Sequence, residues 1–350
     1  MRLKYLFVDE VQDSVLPHRN RVGVWNSCLL QTLQLPLLRV FLTATFPPHL
    51  KQVFYDQIHA RDNISLVRTS TNRPELAYLV VNVENPLTTM DATLNLTQAL
   101  LGQLRDQERM IVFHYSGHDA ERFAQNANCA YYHSKISEER KHEQLRYWDS
   151  GESKVLSATT AAGQGIDRPF IKFVVINEGT YGMISYIQEV GRMGRRGDDS
   201  FSFLVRSNRE DRSLISMDRF SQMDKHCLND LRQYAAQNTI CRRFWISETM
   251  DGPDLAFTCN DGGSNPCDIC DPSGKMLILA KKAILTTHEV HQASICVAPK
   301  PATVSSSTSN VQGLERHNPM TQPAAVNVSS SFTGELLCPP HVLYHKESIP

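Results

Sequence analysis

The chain has 350 residues, of which 41% are hydrophobic and 21% charged, a balance that excludes wholesale disorder. Its 36 Lys+Arg against 37 Asp+Glu give a formal net charge of -1, which excludes a histone-like or strongly acidic protein and leaves room for a local basic groove. No apolar run reaches the ~18 residues that a bilayer span needs, and MRLKYLFVDE meets charge too early for a signal-peptide core, so no membrane partner and no secretion are expected.

In chain order, Tyr5-Leu6-Phe7-Val8 is a continuous apolar run that reads as a strand buried on both faces, with Asp9 and Glu10 directly after it. Similar runs recur at 39–42, 78–81, 110–113, 154–156 and 173–176. Helix-like stretches fall between them at 94–107, 119–126 and 137–148, the last opened by Ser137 as N-cap candidate. Strands alternating with helices predict an α/β doubly wound fold with parallel sheets. The composition turns polar around Thr69 to Pro74, a boundary between two α/β units. Residues 212–234 read as helical, and 291–350, rich in Ser, Thr and Pro, read as a disordered tail.

Three strings carry chemistry. Gln188-Glu189-Val190-Gly191-Arg192-Met193-Gly194-Arg195-Arg196-Gly197 frames two arginines with glycines, and their spacing predicts one shared helical face. Guanidinium forks suit phosphate oxygens. Ser157-Ala158-Thr159-Thr160 leads from a strand end into Gly163-Gln164-Gly165-Ile166-Asp167, where α/β sheets bind ligands. Of nine cysteines, Cys241, Cys259, Cys267 and Cys270 are bunched, with Cys267 and Cys270 as a CxxC pair. Four thiolates suit a closed, structural Zn²⁺ site; the alternative is buried free thiols. Tyr131, Tyr132, Tyr147 and Trp148 could stack on bases or pack in a core.

Taken in order, Asp9-Glu10-Val11-Gln12, Leu42-Thr43-Ala44-Thr45, GxGID at 163–167 and QxxGRxGRxG at 188–197 resemble the motif series of superfamily 2 helicases, specifically the RecQ type. Tyr131-Tyr132-His133-Ser134 with Arg140, and Cys241-Arg242-Arg243 with the later cysteines, extend the resemblance over roughly residues 1–285. It implies RecA-like sheets: part of a first lobe at 1–70, a complete second lobe at 71–208, a helical zinc-binding subdomain at 209–290 and the tail at 291–350. It also implies an ATP-dependent 3′–5′ DNA helicase using ATP with Mg²⁺ and structural Zn²⁺, acting on single-stranded or forked DNA in the nucleus or an equivalent DNA compartment.

By the same resemblance, Asp9 would hold Mg²⁺, Glu10 would orient the attacking water, and Gln12 stands where the family usually has His. Thr43 and Thr45 would couple nucleotide state to DNA grip. Arg192 and Arg195 would reach the γ-phosphate, with Gln188, Gly165 and Asp167 beside the nucleotide. Thr159, Thr160 and His133 would lie on the DNA track, although a strand-end histidine is as readily a packed one. No G-x-x-x-x-G-K-[ST] phosphate loop occurs in the sequence. The expectation is therefore an N-terminally truncated helicase, inactive as an isolated fragment, the alternative being a non-catalytic DNA- or protein-binding remnant.

Overall fold

The computed structural model describes residues 4–16, 38–59, 64–83, 88–160, 166–207, 222–285 and 341–345. Two sheets organise them. The second is the larger and all parallel, built from β4 (Leu76–Val83), β5 (Arg109–Phe113), β6 (Ala130–Tyr132), β7 (Val155–Ala158), β8 (Ile171–Asn177) and β9 (Ser200–Ser207) in the order β4-β9-β8-β5-β7-β6. Its central strands are apolar without alternation because both faces are covered.

Leu79, Val81, Met110, Val112, Phe173, Val175 and Phe203 face α2 (Thr89–Leu101), α3 (Gly117–Ala127) and α8 (Lys275–Leu285). Tyr78, Val80, Ile111, Phe113, Val174 and Ile176 share the opposite core with Trp148 from α4 (Glu138–Asp149), with Tyr186 and Val190 from α5 (Met183–Val190), and with Tyr234 of α6 (Gln222–Ala236) and Met250 of α7 (Arg242–Asp251). The helix starts are set locally: the hydroxyls of Thr88, Ser116 and Ser137 accept from the backbone N–H groups of Asp91, Asp119 and Arg140.

The first sheet holds β1 (Tyr5–Val8), β2 (Leu38–Leu42), β3 (Ile64–Arg68) and β10 (His341–His345), in the order β1-β2-β10-β3. β1 and β2 are parallel, and β10 runs antiparallel to both β2 and β3. The strand at 341–345 departs from the expectation of a disordered 291–350 tail. β2 and β3 lie one strand apart, and His341-Val342-Leu343-Tyr344-His345 has the β-branched and aromatic content to pair both edges. The rest of that tail lies outside the described residues. α1 (Leu50–Gln57) packs Leu50 and Phe54 into the core shared with Phe41 and Phe46. Tyr5 and Phe7 are 57% and 65% exposed, so β1 is not covered on both faces, contrary to what its apolar run predicts.

One arginine ties the elements together. Arg243 is 1% exposed and donates to Asn72 Oδ1 at 2.9 Å, to the carbonyls of Arg73 at 2.8 Å and Asn265 at 3.1 Å, and to the carbonyl of Leu76. Its guanidinium lies 5.3 Å from the Tyr78 ring centroid. It therefore fastens α7 and the cysteine-bearing loop to the entry of β4. Beside it, Arg242 makes a two-pronged pair with Asp268 at 3.0 Å on each arm.

Candidate functional site

β1 delivers Asp9 and Glu10 at its C-terminal end. Asp9 is exposed and accepts from the Glu10 backbone N–H at 2.9 Å. Glu10 has φ 54° and ψ 45°, a left-handed conformation uncommon for a non-glycine residue, and it turns the chain into the short 3-10 turn Val11–Ser14. That turn carries Gln12 into complete burial.

A closed ring of hydrogen bonds follows. Gln12 Nε2 donates to Glu10 Oε2, and Thr43 Oγ1 donates to Gln12 Oε1. Thr43 Oγ1 accepts from the Thr45 backbone N–H at 3.1 Å. Gln188 Nε2, from the end of α5, donates to Thr45 Oγ1 at 3.2 Å and to Glu10 Oε2 at 3.3 Å. The amide at position 12 thus bridges the carboxylate strand and the threonine strand, one face donating and the other accepting. Three separate sequence strings meet here, and only Gln188 comes from the larger sheet's layer.

The arginines stand beside this ring. Arg192 lies close enough to Glu10 and Asp167 to be stabilised by both, although burial, followed by Arg195, lowers its pKa overall. Its Nη1 donates to the Ile166 carbonyl at 3.4 Å, and its Nε is buried without a hydrogen-bond partner. An unmet guanidinium donor beside carboxylates suits an incoming phosphate oxygen. Arg195 is paired with Asp167. The two arginines do not share a helical face: α5 ends at Val190, capped by Gly191, and Gly194 holds φ 68°. A Cβ at Gly194 would sit 2.6 Å from Leu76 Cδ2, so the turn closes tightly over β4.

Thr159 and Thr160 lie at the end of β7, and the Thr159 N–H donates to the Tyr132 carbonyl at 3.2 Å. His133 is 5% exposed; its Nε2 contacts Glu121 Oε1 at 2.7 Å and its Nδ1 accepts from the Lys135 N–H at 3.3 Å. Both ring nitrogens are engaged within the protein, the packed alternative. Trp148 is core and Tyr132 and Tyr147 pack against it, whereas Tyr131 lies under the Arg140 guanidinium at 5.6 Å. Gly165 lies outside the described residues.

The sulfur atoms of Cys241, Cys259, Cys267 and Cys270 lie within 4.8 Å of one another. Cys241 Sγ is 3.5 Å from Cys259 Sγ and 4.0 Å from Cys267 Sγ. Backbone N–H groups of Arg242 and Cys267 point at Cys267 Sγ and Cys259 Sγ, at 3.4 and 3.3 Å. Hydrogen bonds with Cys259 and Cys267 pull the Cys241 thiol far below the ordinary range, while the same contacts push the Cys259 thiol up, so the crowded sulfurs share their charge unevenly. Tetrahedral Zn–S bonds of ~2.3 Å place sulfurs ~3.8 Å apart, so the cluster fits Zn²⁺. Sequence spacing brings these four together; the Arg243 fastening and the ring through Gln12 have no sequence signal of their own.

Residues 92–197 match the helicase conserved C-terminal domain. The chain is 28% identical over 203 residues to ATP-dependent DNA helicase Q1 of Mus musculus, covering 57% of this chain and 31% of that protein. It is 26% identical over 276 residues to ATP-dependent helicase SGS1 of Saccharomyces cerevisiae, covering 74% of this chain and 18% of that protein. It is 30% identical over 200 residues to ATP-dependent DNA helicase RecQ of Bacillus subtilis, covering 55% and 32%. A solved structure of a Saccharomyces cerevisiae Dbp5 variant bound to RNA and ADP BeF3 superposes with TM-score 0.50 at 17% identity, covering 70% of this chain and 62% of that one, which shows the RecA-like fold. The chain carries a helicase conserved C-terminal domain and is similar in sequence to RecQ-like superfamily 2 helicases. It spans about a third or less of the length of these three curated relatives.

Proposed function

We propose that this chain is the arginine-bearing and nucleic-acid-binding part of an ATP-dependent 3′–5′ DNA helicase of RecQ type, with a structural Zn²⁺ in its helical subdomain. The observation that carries the reading is the hydrogen-bond ring joining Glu10, Gln12, Thr43, Thr45 and Gln188, with the unmet Arg192 donor beside it. Residues 1–70 contribute the carboxylate strand of a first lobe, 71–208 form the second lobe, and 209–290 form the zinc-binding subdomain.

In this reading Asp9 would hold Mg²⁺, which would supply neutralisation of phosphate charge when bound. Glu10, oriented by Gln12 and Gln188, accepts a proton from the attacking water. Gln12, where the family usually has His, offers a donor to Glu10 and an acceptor to Thr43 at once. Arg192 meets developing charge on the γ-phosphate, and Arg195 exchanges Asp167 for a phosphate oxygen. Thr159 and Thr160 line the DNA track, and His133 supports it from within. The DNA is single-stranded or forked, and the protein works in the nucleus or an equivalent DNA compartment. No helix among the described residues is long and apolar enough to cross a membrane.

The 350-residue chain on its own hydrolyses ATP at background level. A phosphate cradle needs loop amides and a lysine, and its G-x-x-x-x-G-K-[ST] string is not in the sequence. Arginine fingers contribute ~10³–10⁵-fold, but only to a nucleotide already held. Phosphate release by the purified chain with single-stranded DNA is therefore expected to equal the buffer blank and to be unchanged in Arg195→Ala. DNA-stimulated hydrolysis that Arg195→Ala abolishes would show a complete site in this chain. Binding is tested separately: fluorescence anisotropy with a labelled single-stranded oligonucleotide at low salt should show saturable association, and none would sink the nucleic-acid reading.

A further inference from the structure

Two tyrosines at the C-terminal edge of the second sheet serve neither core. Tyr115 follows β5 and Tyr181 follows β8, two adjacent parallel strands that pair Phe113 with Ile176 near their ends. Their rings lie 4.8 Å apart between centroids at 33° between planes, and both are half-buried. The Tyr186–Tyr234 pair behaves differently: both are fully buried, with hydroxyls 3.1 Å apart.

Each edge tyrosine is held between anchored neighbours. On one side of Tyr115, His114 is 2% exposed, its Nδ1 3.2 Å from Asn177 Nδ2, and its ring packs 4.9 Å from Phe123; on the other, Ser116 caps α3. On one side of Tyr181, Thr180 Oγ1 donates to Glu189 Oε1 at 2.9 Å. On the other, Gly182 holds φ 118°, and a Cβ there would sit 2.7 Å from the Cys227 backbone of α6. Only glycine permits that approach. Both rings are thus fixed in place before any ligand arrives.

The neighbouring strand on the other side of β5 is β7, which ends at Thr159 and Thr160. Sheets of this class bind ligands along this C-terminal edge. Two adjacent, partly exposed rings, tilted 33° from each other, offer the π-face on which an unpaired base stacks, whatever its sequence.

We propose that Tyr115 and Tyr181 form a base-stacking platform for single-stranded DNA at the C-terminal edge of the second sheet. The proposal rests on the nucleic-acid reading above and adds contacts which the motif series does not contain. Tyr181 immediately precedes Gly182 and α5, whose far end carries Gln188. An eight-residue helix is ~12 Å long, so one rigid rod joins the platform to the hydrogen-bond ring around Glu10. Movement of Gln188 with nucleotide state would move the platform with it.

The test compares a labelled 20-nucleotide single strand with a 20-mer of the same backbone carrying abasic sites, both by anisotropy with the full chain. Tyr115→Leu and Tyr181→Leu keep apolar bulk and remove the ring; Tyr181→Phe keeps the ring. Each Leu variant should weaken binding of the base-bearing strand by about 5- to 150-fold. It should leave the abasic strand unchanged, leave the salt slope unchanged because no phosphate contact is lost, and Tyr181→Phe should bind as wild type. Wild-type binding with Leu variants that are unaffected, or equally weakened on both strands, would overturn the platform and leave the nucleic-acid reading standing. No binding of either strand by the wild-type chain would overturn both.

Discussion

Cys267→Ser is expected to abolish metal binding and unfold the segment from Cys241 to Cys270. Structural Zn²⁺ in small thiolate sites contributes ~10–16 kcal/mol of apparent binding energy, which is folding energy for the loops that it gathers. Apart from the Arg242–Asp268 pair and the Arg243 bond to the Asn265 carbonyl, those loops have little to hold them. Between Asp251 and Lys275 the only regular element is the short 3-10 turn Pro253–Leu255, and the apolar residues that it could bury are few. Without the metal, four sulfurs within 4.8 Å of one another would have to shed charge or move apart. Metal analysis should give about one Zn²⁺ per wild-type chain and none in the variant. Limited proteolysis should cut the variant within 241–270 and spare the wild type. Folded wild-type protein without zinc would contradict the assignment.

Arg243→Ala is expected to cost about 3–5 kcal/mol, because it strands several buried oxygens at once. The carbonyls of Arg73, Leu76 and Asn265 and the Asn72 side chain all accept from this one guanidinium. The midpoint of thermal unfolding should fall by on the order of 10 °C. Arg243→Lys should lie between the two, since an ammonium reaches fewer of these acceptors than a planar fork does. A variant that melts with the wild type would mean that α7 is held to β4 by apolar contacts alone.

The strands at 78–81, 110–113 and 173–176 are legible in the sequence as apolar runs, since a two-sided parallel sheet leaves no polar alternation to confuse them; those at 5–8 and 39–42 are equally legible, although their sheet is mixed and Tyr5 and Phe7 are exposed. Ser137 is legible as a cap, because a hydroxyl before Glu-Glu and a helical period is a local signal. β9 is not: Ser200, Ser202 and Ser207 break its apolar run, and their burial depends on tertiary neighbours. β3 and β6 are short or alternate weakly. β10 is hidden for another reason, since its partners are nearly three hundred residues away in sequence.

In the site, Glu10, Gln188, Arg192 and the cysteines are legible as motif members. What joins them is not. That Gln12 closes a ring with Thr43 depends on a 3-10 turn set by a left-handed Glu10, a conformation no composition signals. That Arg192 and Arg195 leave the helix follows from Gly191 and Gly194, which the spacing of the arginines alone conceals. The Tyr115–Tyr181 pair is invisible in sequence, because only the β8-β5 adjacency brings the rings together.

If, as proposed, the second sheet with its helical subdomain grips the phosphate backbone of single-stranded DNA, binding must weaken steeply as salt rises. Each phosphate contact on a single strand releases counterions with a slope of about -0.7 in log affinity against log salt. Contacts to three or four phosphates predict a loss of about 20- to 50-fold between roughly 50 and 200 mM monovalent salt. An affinity that stays level over that range, or no association at the low-salt end, would contradict the account.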